Sequence, residues 1–295
     1  MCIRDSGEGA RLGGAEEAEI FAAVGLPWIP PELREDKGEI EAGLAGALPR
    51  LIEVGDLRGD LHMHTTETDG RNSLEEMILA AAELGRDYIA ITDHSYNLRL
   101  VNGLDPERLA AQGREIDELN ERFAGRPRIL RGIEADILPD GSIDLGPQVL
   151  GTLDWVIGSV HGEFKMSRAE QTRRIVTAIE SGQIDVLGHP TGRRLEMRSG
   201  YEVDLEAVID AAARTGVAVE CNAYPERLDL DDAGCRLARE RGAFVVIDTD
   251  SHATSHLRGI GGGVRQARRG GLEARHVLNT RSAEGLLDHK RNRLR

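Results

Sequence analysis

Two histidines, His62 and His64, stand one residue apart in a run where Leu57, Leu61 and Met63 are apolar. Alternate residues of a strand point to the same side, so a strand here would aim both imidazoles at one spot. Neutral imidazoles that converge at a strand end are a good start for a transition-metal site. Taken alone, such a pair more often makes ordinary hydrogen bonds. The choice between a metal site and hydrogen-bonded histidines therefore depends on the rest of the chain.

The elements that would position these histidines alternate between strands and helices from residue 56 onward. Strands are predicted at residues 56–62, 88–92, 128–134, 155–160, 184–187, 217–221 and 244–248. Helices are predicted between them at residues 73–84, 106–123, 167–181, 204–215 and 231–241. Seven strands in βα repeats predict an α/β fold with a parallel sheet covered by helices, either a barrel or a doubly wound sheet. No dinucleotide-binding or P-loop motif is found, and the glycines at 259–263 are predicted to form a loop.

Residues that can bind metal stand at the ends of nearly all the predicted strands. They are His62, His64 and Asp69 after strand one, Asp93 and His94 after strand two, Glu134 and Asp136 after strand three, His161 after strand four, His189 after strand five, and Asp248, Asp250 and His252 after strand seven. Strand six is the exception, because it ends in Glu220, Cys221 and Asn222 without a histidine. In a closed parallel barrel all these ends meet at one face. Six of the nine histidines would then line one mouth, which chance explains poorly.

This donor set exceeds the needs of one ion, since Zn²⁺ takes about four ligands. Two or three divalent ions are therefore predicted, with Glu134 as the bridging carboxylate, and nitrogen and oxygen ligands without thiolate suit Zn²⁺, Mn²⁺ or Fe²⁺. Three carboxylates are predicted to orient histidines instead: Asp93, Asp136 and Asp248. Three other histidines are predicted to be solvated: His256, His276 and His289. Clustered divalent ions activate water and hold phosphoryl oxygens, so the sequence predicts phosphate-ester hydrolysis with water, not a side chain, as nucleophile.

Bulk properties limit what else this chain can be. Its 295 residues suit one large domain with an appendage, or two domains. A formal net charge of −14 disfavours nucleic-acid binding unless cations or a local basic patch offset it. Cys2, Cys221 and Cys235 show neither metal spacing nor a disulfide framework, which favours a cytoplasmic location. No apolar run approaches the roughly 20 residues of a membrane span, and no secretory signal is recognised.

Six ordered motifs resemble those of the PHP (polymerase and histidinol phosphatase) domain. They are His62-Met63-His64, Thr92-Asp93-His94, Glu134, Ser159-Val160-His161, Gly188-His189-Pro190 and Asp250-Ser251-His252. The resemblance covers residues 56–288 and implies a distorted seven-stranded (β/α)7 TIM-like barrel with a trinuclear metal centre. It further implies three ligand sets: His62, His64, Glu134 and Asp250 for one ion, Glu134, His161 and His189 for a second, and Asp69, His94 and His252 for a third.

Further stretches resemble the C-terminal domain of bacterial family X DNA polymerases. They are residues 25–34, 56–61, 188–193, 200–204, 227–232 and 277–281. This resemblance implies a metal-dependent 3′–5′ exonuclease. It also implies related activities on DNA ends, such as removal of a 3′-phosphate and cleavage at abasic sites. Residues 1–55 are expected to be a partly disordered, partly helical connector left from an upstream polymerase region, and residues 56–290 the metallohydrolase barrel. No polymerase motif precedes residue 25, so we expect a fragment of a longer protein without polymerase activity.

The leading hypothesis is a phosphodiesterase that acts on DNA 3′ ends. Arg193 and Arg194 follow His189 and are candidates to grip a phosphate, although solvated loop arginines fit equally well. Asn222 and Tyr224, after strand six, are candidates to orient the substrate. The alternative is a small-molecule phosphomonoesterase of the histidinol phosphatase type. A metal-binding domain without catalysis is disfavoured because the ligand set is complete, and the sequence gives no prediction of oligomeric state.

Overall fold

The computed structural model describes residues 14–294. The chain divides into two compact units, Met1–Arg50 and Leu51–Arg295. The first 13 residues of the predicted connector, among them Cys2, lie outside the described residues. No helix in the described part of the chain is long and apolar enough to cross a membrane.

The first unit contains two short helices and a proline-rich segment between them. Helix α1 spans Glu17–Ala23, a 3-10 turn spans Pro31–Leu33, and α2 spans Glu39–Leu44. Arg34 pairs with Glu17 at 2.6 Å and also donates to the backbone oxygen of Ile29. The Trp28 indole donates to the same Glu17 carboxylate at 3.0 Å. Glu17 therefore ties α1 to the extended path that the prolines impose.

The second unit is a seven-stranded α/β barrel. Its strands are β1 (Gly59–Asp60), β2 (Tyr88–Ile91), β3 (Arg128–Asp136), β4 (Trp155–Ser159), β5 (Val186–Leu187), β6 (Ala218–Asn222) and β7 (Val245–Asp248). Each strand pairs in parallel with the next, so the sheet order follows the chain. The barrel is confirmed, and the doubly wound alternative is wrong because that topology does not keep the strands in chain order.

In the described chain, six α-helices separate the strands and two more follow β7. They are α3 (Leu74–Glu83), α4 (Pro106–Arg122), α5 (Gly146–Leu150), α6 (Arg168–Glu180), α7 (Leu205–Thr215), α8 (Asp232–Arg241), α9 (Gly261–Arg269) and α10 (Ala283–Arg293). A capping box begins α3, with Ser73 accepting from the Glu76 backbone and the Glu76 carboxylate accepting from the Ser73 backbone. Strands β1 and β5 pair over only two residues each and are shorter than predicted.

The predicted loop at 259–263 is wrong, because these glycines end a 3-10 helix, Thr254–Ile260, and begin α9. Glycine disfavours helix, so packing must supply the stability. A Cβ added at Gly263 would lie 2.8 Å from Ile247 and 3.0 Å from Ala223. The glycines therefore let α9 approach β6 and β7 closely, which a sequence pattern cannot reveal.

The barrel closes where β7 lies beside β1, and we call this junction the seam. Near the start of β1, one side chain closes the seam. Asn279 Nδ2 donates to the backbone oxygens of Gly59 at 2.9 Å and Ile247 at 2.6 Å. Its Oδ1 accepts from the Ile247 backbone nitrogen at 3.1 Å. The Asn279 amide thus replaces the backbone hydrogen bonds that the two strands do not make with each other at this level.

Further along the same seam, a side-chain contact between the two strands is followed by backbone pairing. Asp60 is buried and accepts from the backbone nitrogen of Thr249 at 3.1 Å and from its hydroxyl at 2.7 Å. Beyond this contact, Met63 and Ser251 form a parallel backbone bridge. The backbone is therefore paired across the seam where the predicted metal ligands begin.

An apolar layer lies below those ligands. On β3, Leu130 and Glu134 share a face because alternate residues do. Leu130 belongs to a buried cluster with Tyr88, Trp155 and Val246 from three other strands. The polar residues at the strand ends therefore stand above an apolar floor and can be reached from one end of the barrel.

Candidate metal centre

Glu134, near the end of β3, lies at the centre of the predicted ligands and is 1% exposed. Its Oε1 lies 2.9 Å from His189 Nε2 and 3.3 Å from His161 Nε2. His161 is oriented from behind by Asp136, whose Oδ1 lies 2.5 Å from His161 Nδ1. The structure therefore brings together the set predicted for a second ion and gives Asp136 the orienting role expected of it.

The other oxygen of Glu134 faces the first strand. Oε2 lies 3.4 Å from His62 Nε2, 3.6 Å from His64 Nε2 and 2.9 Å from His94 Nδ1. Asp250 Oδ1 lies 3.6 Å from His62 Nε2 and 3.2 Å from His64 Nε2. The set predicted for a first ion is therefore assembled as well, and each Glu134 oxygen faces a different group of imidazoles.

The third predicted set lies at the more exposed side of the centre. Asp69 approaches His252 Nε2 at 3.3 Å and His94 Nε2 at 3.6 Å. His64 Nδ1 is also 3.9 Å from Asp69, and ligand-type atoms of these four residues all lie within 4.8 Å of one another. His64 thus stands between two sets, with one ring nitrogen toward each.

The electrostatic environment keeps the central carboxylates ionised. Burial alone would raise the pKa of Glu134, but His161, His62 and His94 hold it well below its usual value. Burial likewise opposes ionisation of Asp250, yet His62 and its other neighbours hold the pKa of that carboxyl well below normal. Two buried anions that remain charged at neutral pH attract cations strongly.

Several donor atoms at this centre have no hydrogen-bond partner among the described residues. They are His62 Nε2, His64 Nδ1, His94 Nδ1, His161 Nε2, His189 Nδ1, Asp69 Oδ1 and Glu134 Oε2. Buried polar atoms are normally paired, so seven unpaired ones on the predicted ligands require an explanation. Imidazole nitrogens and carboxylate oxygens, without thiolate, fit a cluster of divalent transition-metal ions.

Glu220 is a functional residue that sequence reasoning missed, since strand six was set aside for lacking a histidine. Its Oε1 lies 2.6 Å from His62 Nδ1, and its Oε2 accepts from the His189 backbone nitrogen. Glu220 thus orients one predicted ligand and fixes the backbone of another. Asp248 lies in the same buried group as His62 and Glu220. A charged residue inside the apolar run 217–221 was the signal available in the sequence.

One expectation about a neighbouring residue is wrong. Asp93 orients no histidine among its described hydrogen bonds; it accepts from the Thr65 backbone at 2.8 Å, the Thr68 hydroxyl at 2.5 Å and Gln112 at 2.7 Å. Asp93 therefore holds the loop after β1, whose donors lie nearest to its carboxylate. His256, expected to be solvated, is partly exposed and lines the cleft above the centre.

A cleft of about 340 Å³ opens above the predicted ligands. Besides Asp69, His94, His161, Asp250 and His252, it is lined by Arg71, Leu98, Val101, Arg194, Tyr224, Arg227 and His256. Three arginines at one opening offer guanidinium donors to an anion, beside the carboxylates of Asp69 and Asp250. The cleft is therefore suited to an anionic group.

The predicted substrate-binding residues have different placements. Arg194 and Tyr224 line the cleft, and Arg194 pairs with Glu226. Arg193 does not line it; its guanidinium donates to the backbone oxygen of Arg227 at 2.9 Å and to Asp231 at 3.2 Å. These donors of Arg193 hold the loop after β6.

Asn222 also makes its hydrogen bonds within the protein. It is fully buried, and its Nδ2 donates to Asp250 at 3.1 Å and to Glu220 at 3.2 Å. Its Oδ1 accepts from the Tyr224 backbone nitrogen at 2.9 Å. Asn222 therefore positions a predicted metal ligand and the start of a cleft loop, and it is not among the residues that line the cleft.

Arg227 is the second residue that sequence reasoning missed as a site residue. It lines the cleft, and its Nε lies 3.1 Å from Asp250 Oδ2. Burial alone would lower the pKa of Arg227, but Asp250 and other carboxylates raise it, so the guanidinium stays charged. Its fixed position next to a predicted ligand makes it the best-placed phosphate-binding group in the cleft.

Comparisons with known families identify two regions of similarity. The sequence matches the PHP domain over residues 60–223. It matches the DNA polymerase beta thumb over residues 2–35, of which 14–35 are described. The PHP match covers more than half of the chain and contains seven of the nine predicted ligands.

Individual relatives extend the similarity beyond that match. The DNA polymerase/3′-5′ exonuclease PolX of Bacillus subtilis is 45% identical over 266 residues, 90% of this chain. The chain spans only 46% of the length of that relative. The probable phosphatase YcdX of Escherichia coli O139:H28 is 32% identical over 66% of this chain and 78% of its own length.

A solved structure supports the fold. Histidinol phosphate phosphatase from Lactococcus lactis, solved with zinc, L-histidinol and phosphate, superposes with a TM-score of 0.55 at 19% identity. The match covers 73% of this chain and 94% of that one. At this identity the similarity concerns the barrel itself.

Proposed function

The chain belongs to the PHP domain family of metal-dependent phosphoesterases, and on that premise we propose that it hydrolyses phosphodiester bonds at DNA 3′ ends. The observation that carries the proposal is the 45% identity to a DNA polymerase/3′-5′ exonuclease over 90% of this chain. The cleft adds physical support, since its arginines would bind phosphate next to the predicted ligands.

We propose that the nine predicted residues hold two or three ions, with Zn²⁺ and Mn²⁺ the best candidates. When bound, such ions activate water and stabilise negative charge on the phosphoryl oxygens. Asp136 and Glu220 hold His161 and His62 in the orientation that presents a ring nitrogen to the centre. Arg227 and Arg194 bind the phosphate from the open side.

The proposed reaction cleaves the terminal internucleotide bond. The oxygen of water bonds to phosphorus, and the bond between phosphorus and the 3′-oxygen of the preceding nucleotide breaks. That 3′-oxygen takes up a proton and leaves as the new 3′-hydroxyl. The products are a nucleoside 5′-monophosphate and a strand shorter by one nucleotide.

A small-molecule phosphomonoesterase is the second candidate. The observation in its favour is the 32% identity to a probable phosphatase over 78% of that relative. It would use the same ions and the same arginines, so the substrate alone distinguishes the two functions.

The test compares the two substrate classes on the same protein. The chain, loaded with Mn²⁺ or Zn²⁺ and checked by elemental analysis, is incubated with 3′-labelled single-stranded DNA and, separately, with histidinol phosphate. We expect release of labelled 5′-mononucleotide at a kcat/KM well above that for histidinol phosphate. The opposite preference would favour the phosphomonoesterase, and no turnover by the loaded protein would reject both.

A pair of variants ties the activity to the cleft. Arg227→Gln should lower kcat/KM about 100-fold, the scale for removing one charged group that stabilises a transition state. Arg214→Gln is the control, because Arg214 is an exposed residue of α7 that pairs only with Glu180 among its described contacts. Equal activities of the two variants would contradict the assignment of Arg227.

A further inference from the structure

A second cavity, of about 260 Å³, adjoins the metal cleft. It is lined by Tyr224, Pro225, Glu226, Ser255, His256 and Gly259, and we call it the side cavity. Tyr224 and His256 line the cleft as well, so these two rings form a wall shared by both spaces. A molecule whose phosphate lies in the cleft could therefore extend into the side cavity.

The shared wall is held in a defined place. The Tyr224 ring lies edge-on to His256 with centroids 5.5 Å apart, and edge-on to His252 at 6.1 Å. His256 Nδ1 accepts from the His252 backbone nitrogen at 3.3 Å. The Tyr224 backbone oxygen accepts from the nitrogen of Arg227 at 2.8 Å. The wall is thus tied to a predicted ligand on one side and to the phosphate-binding arginine on the other.

The chemistry of the side cavity suits a flat heterocycle. Tyr224, His256 and Pro225 line it with rings, and aromatic side chains bind nucleobases by stacking regardless of base identity. Glu226 and Ser255 offer polar groups at the rim that can meet base edges. A small aliphatic phosphate ester would leave these ring faces unused.

We propose that the side cavity binds the base of the 3′-terminal nucleotide while its 5′-phosphate lies in the metal cleft. The proposal rests on the proposed function and specifies its substrate: the Tyr224 wall makes the site selective for nucleotides over simple phosphate esters. Tyr224 acts as a specificity-determining residue through contact with the base, and takes no part in breaking the bond.

The test measures binding, so that it does not depend on turnover. Isothermal titration calorimetry of the Mn²⁺-loaded chain compares thymidine 5′-phosphate with 2-deoxyribose 5-phosphate, which has the same charge and sugar and lacks the base. We expect the wild-type protein to bind the nucleotide about 10-fold more tightly, within the range for stacking of one base. Tyr224→Ala should reduce this ratio toward one, and Tyr224→Phe should retain it.

A second variant fills the side cavity without touching Tyr224. Gly259 lines the cavity, and a Cβ added there meets no atom within 4 Å, so Gly259→Leu can fold while it occupies the space for a base. Gly55→Leu is the matched control, since Gly55 is equally open and lines neither the cleft nor the side cavity. We expect the ratio to fall in Gly259→Leu and to persist in Gly55→Leu.

The outcomes separate this proposal from the proposed function. Equal affinities for the two ligands in the wild-type protein, or a ratio unchanged in both Tyr224→Ala and Gly259→Leu, would overturn the base site even if DNA is hydrolysed. A preference for the nucleotide that both variants abolish would support the base site, even if the loaded protein does not hydrolyse DNA.

Discussion

Two buried carboxylates at opposite ends of the barrel, Asp185 and Glu134, serve different purposes. Asp185 precedes β5, is 2% exposed, and pairs with Lys290 at 2.8 Å and Arg293 at 2.5 Å from α10. It also accepts from the Val156 backbone nitrogen at 2.8 Å. Glu134, near the end of β3, faces imidazoles instead, and its Oε2 has no hydrogen-bond partner among the described residues.

The difference shows that a buried charge can serve either stability or chemistry. At the amino ends of the strands, permanent cations of the chain satisfy Asp185 fully, so that carboxylate holds the fold together. At the carboxyl ends, Glu134 is surrounded by groups that can be neutral and can themselves bind metal. In parallel barrels the first end generally provides stability and the second provides chemistry. The following predictions test this contrast.

Replacing the structural carboxylate should have the largest effect. Asp185→Ala leaves Lys290 and Arg293 without their partner, and breaking a buried pair in this way costs about 3–5 kcal/mol of unfolding free energy. Urea denaturation measures the loss. Asp210→Ala, which removes an exposed partner of Arg241, is the control and should cost about 1 kcal/mol or less. A loss in Asp185→Ala no greater than the control would remove the contrast.

Replacing the central carboxylate should affect chemistry more than folding. Glu134→Gln removes the anion that faces five imidazoles, and we expect kcat/KM to fall by about 100- to 1,000-fold, together with the number of bound ions. Elemental analysis and the 3′-end assay measure this. Glu240→Gln, on the surface of α8, is the control. If Glu134→Gln instead unfolded the protein as readily as Asp185→Ala, Glu134 would be a structural residue too.

Replacing Glu220 tests whether a residue that orients a predicted ligand is also needed for metal binding. Glu220→Gln weakens the contact to His62 Nδ1 and should lower metal affinity by about 10- to 100-fold, as for other residues that orient a ligand. Competition with a chelator measures the affinity. Glu206→Gln, which alters an exposed pair with Arg241, should leave the affinity unchanged. An unchanged affinity in Glu220→Gln would limit the metal centre to the nine predicted residues.

Asp229 is an intermediate case with the smallest expected effect. It is fully buried, and burial raises its pKa from 3.8 to about 6, although the Thr191 backbone donates to it at 3.0 Å. The folded protein therefore holds this proton more tightly than the unfolded chain does. The resulting stability is fully present below the unfolded pKa and is lost as the pH rises through about 6.

Asp229→Asn should remove that pH dependence. Relative to the variant, the wild-type protein should lose on the order of 1 kcal/mol of unfolding free energy between pH 5 and pH 7.5. Denaturation of both proteins at the two pH values measures the difference. A constant difference would mean that Asp229 is ionised throughout this pH range.

Much of the centre could be predicted because its signal is local. The ligands stand at the ends of apolar runs, and the alternation of His62 and His64 is visible within three residues. Parallel topology then brings the strand ends together without any knowledge of side-chain contacts. The nine predicted ligands are therefore found together, with Glu134 at their centre.

The remaining features depend on partners far apart in the chain. His62 and Glu220 are separated by 158 residues, and nothing near either one indicates the other. Arg193 and Arg227 look alike in sequence, yet one donates to loop backbone and the other faces the cleft, because the folds of two loops decide their directions. The α9 helix forms despite its glycines because it packs closely against β6 and β7.

The Asn279 amide has a consequence for the metal centre, although it lies at the other end of the seam. His62 and His64 follow β1, and Asp250 and His252 follow β7, so the two strands must stay at a fixed separation for all four to share ions. Proteolysis just ahead of residue 279 would spare every donor atom while releasing the clamp between those strands. C-terminal cleavage would then inactivate the protein without removing one residue that touches its substrate.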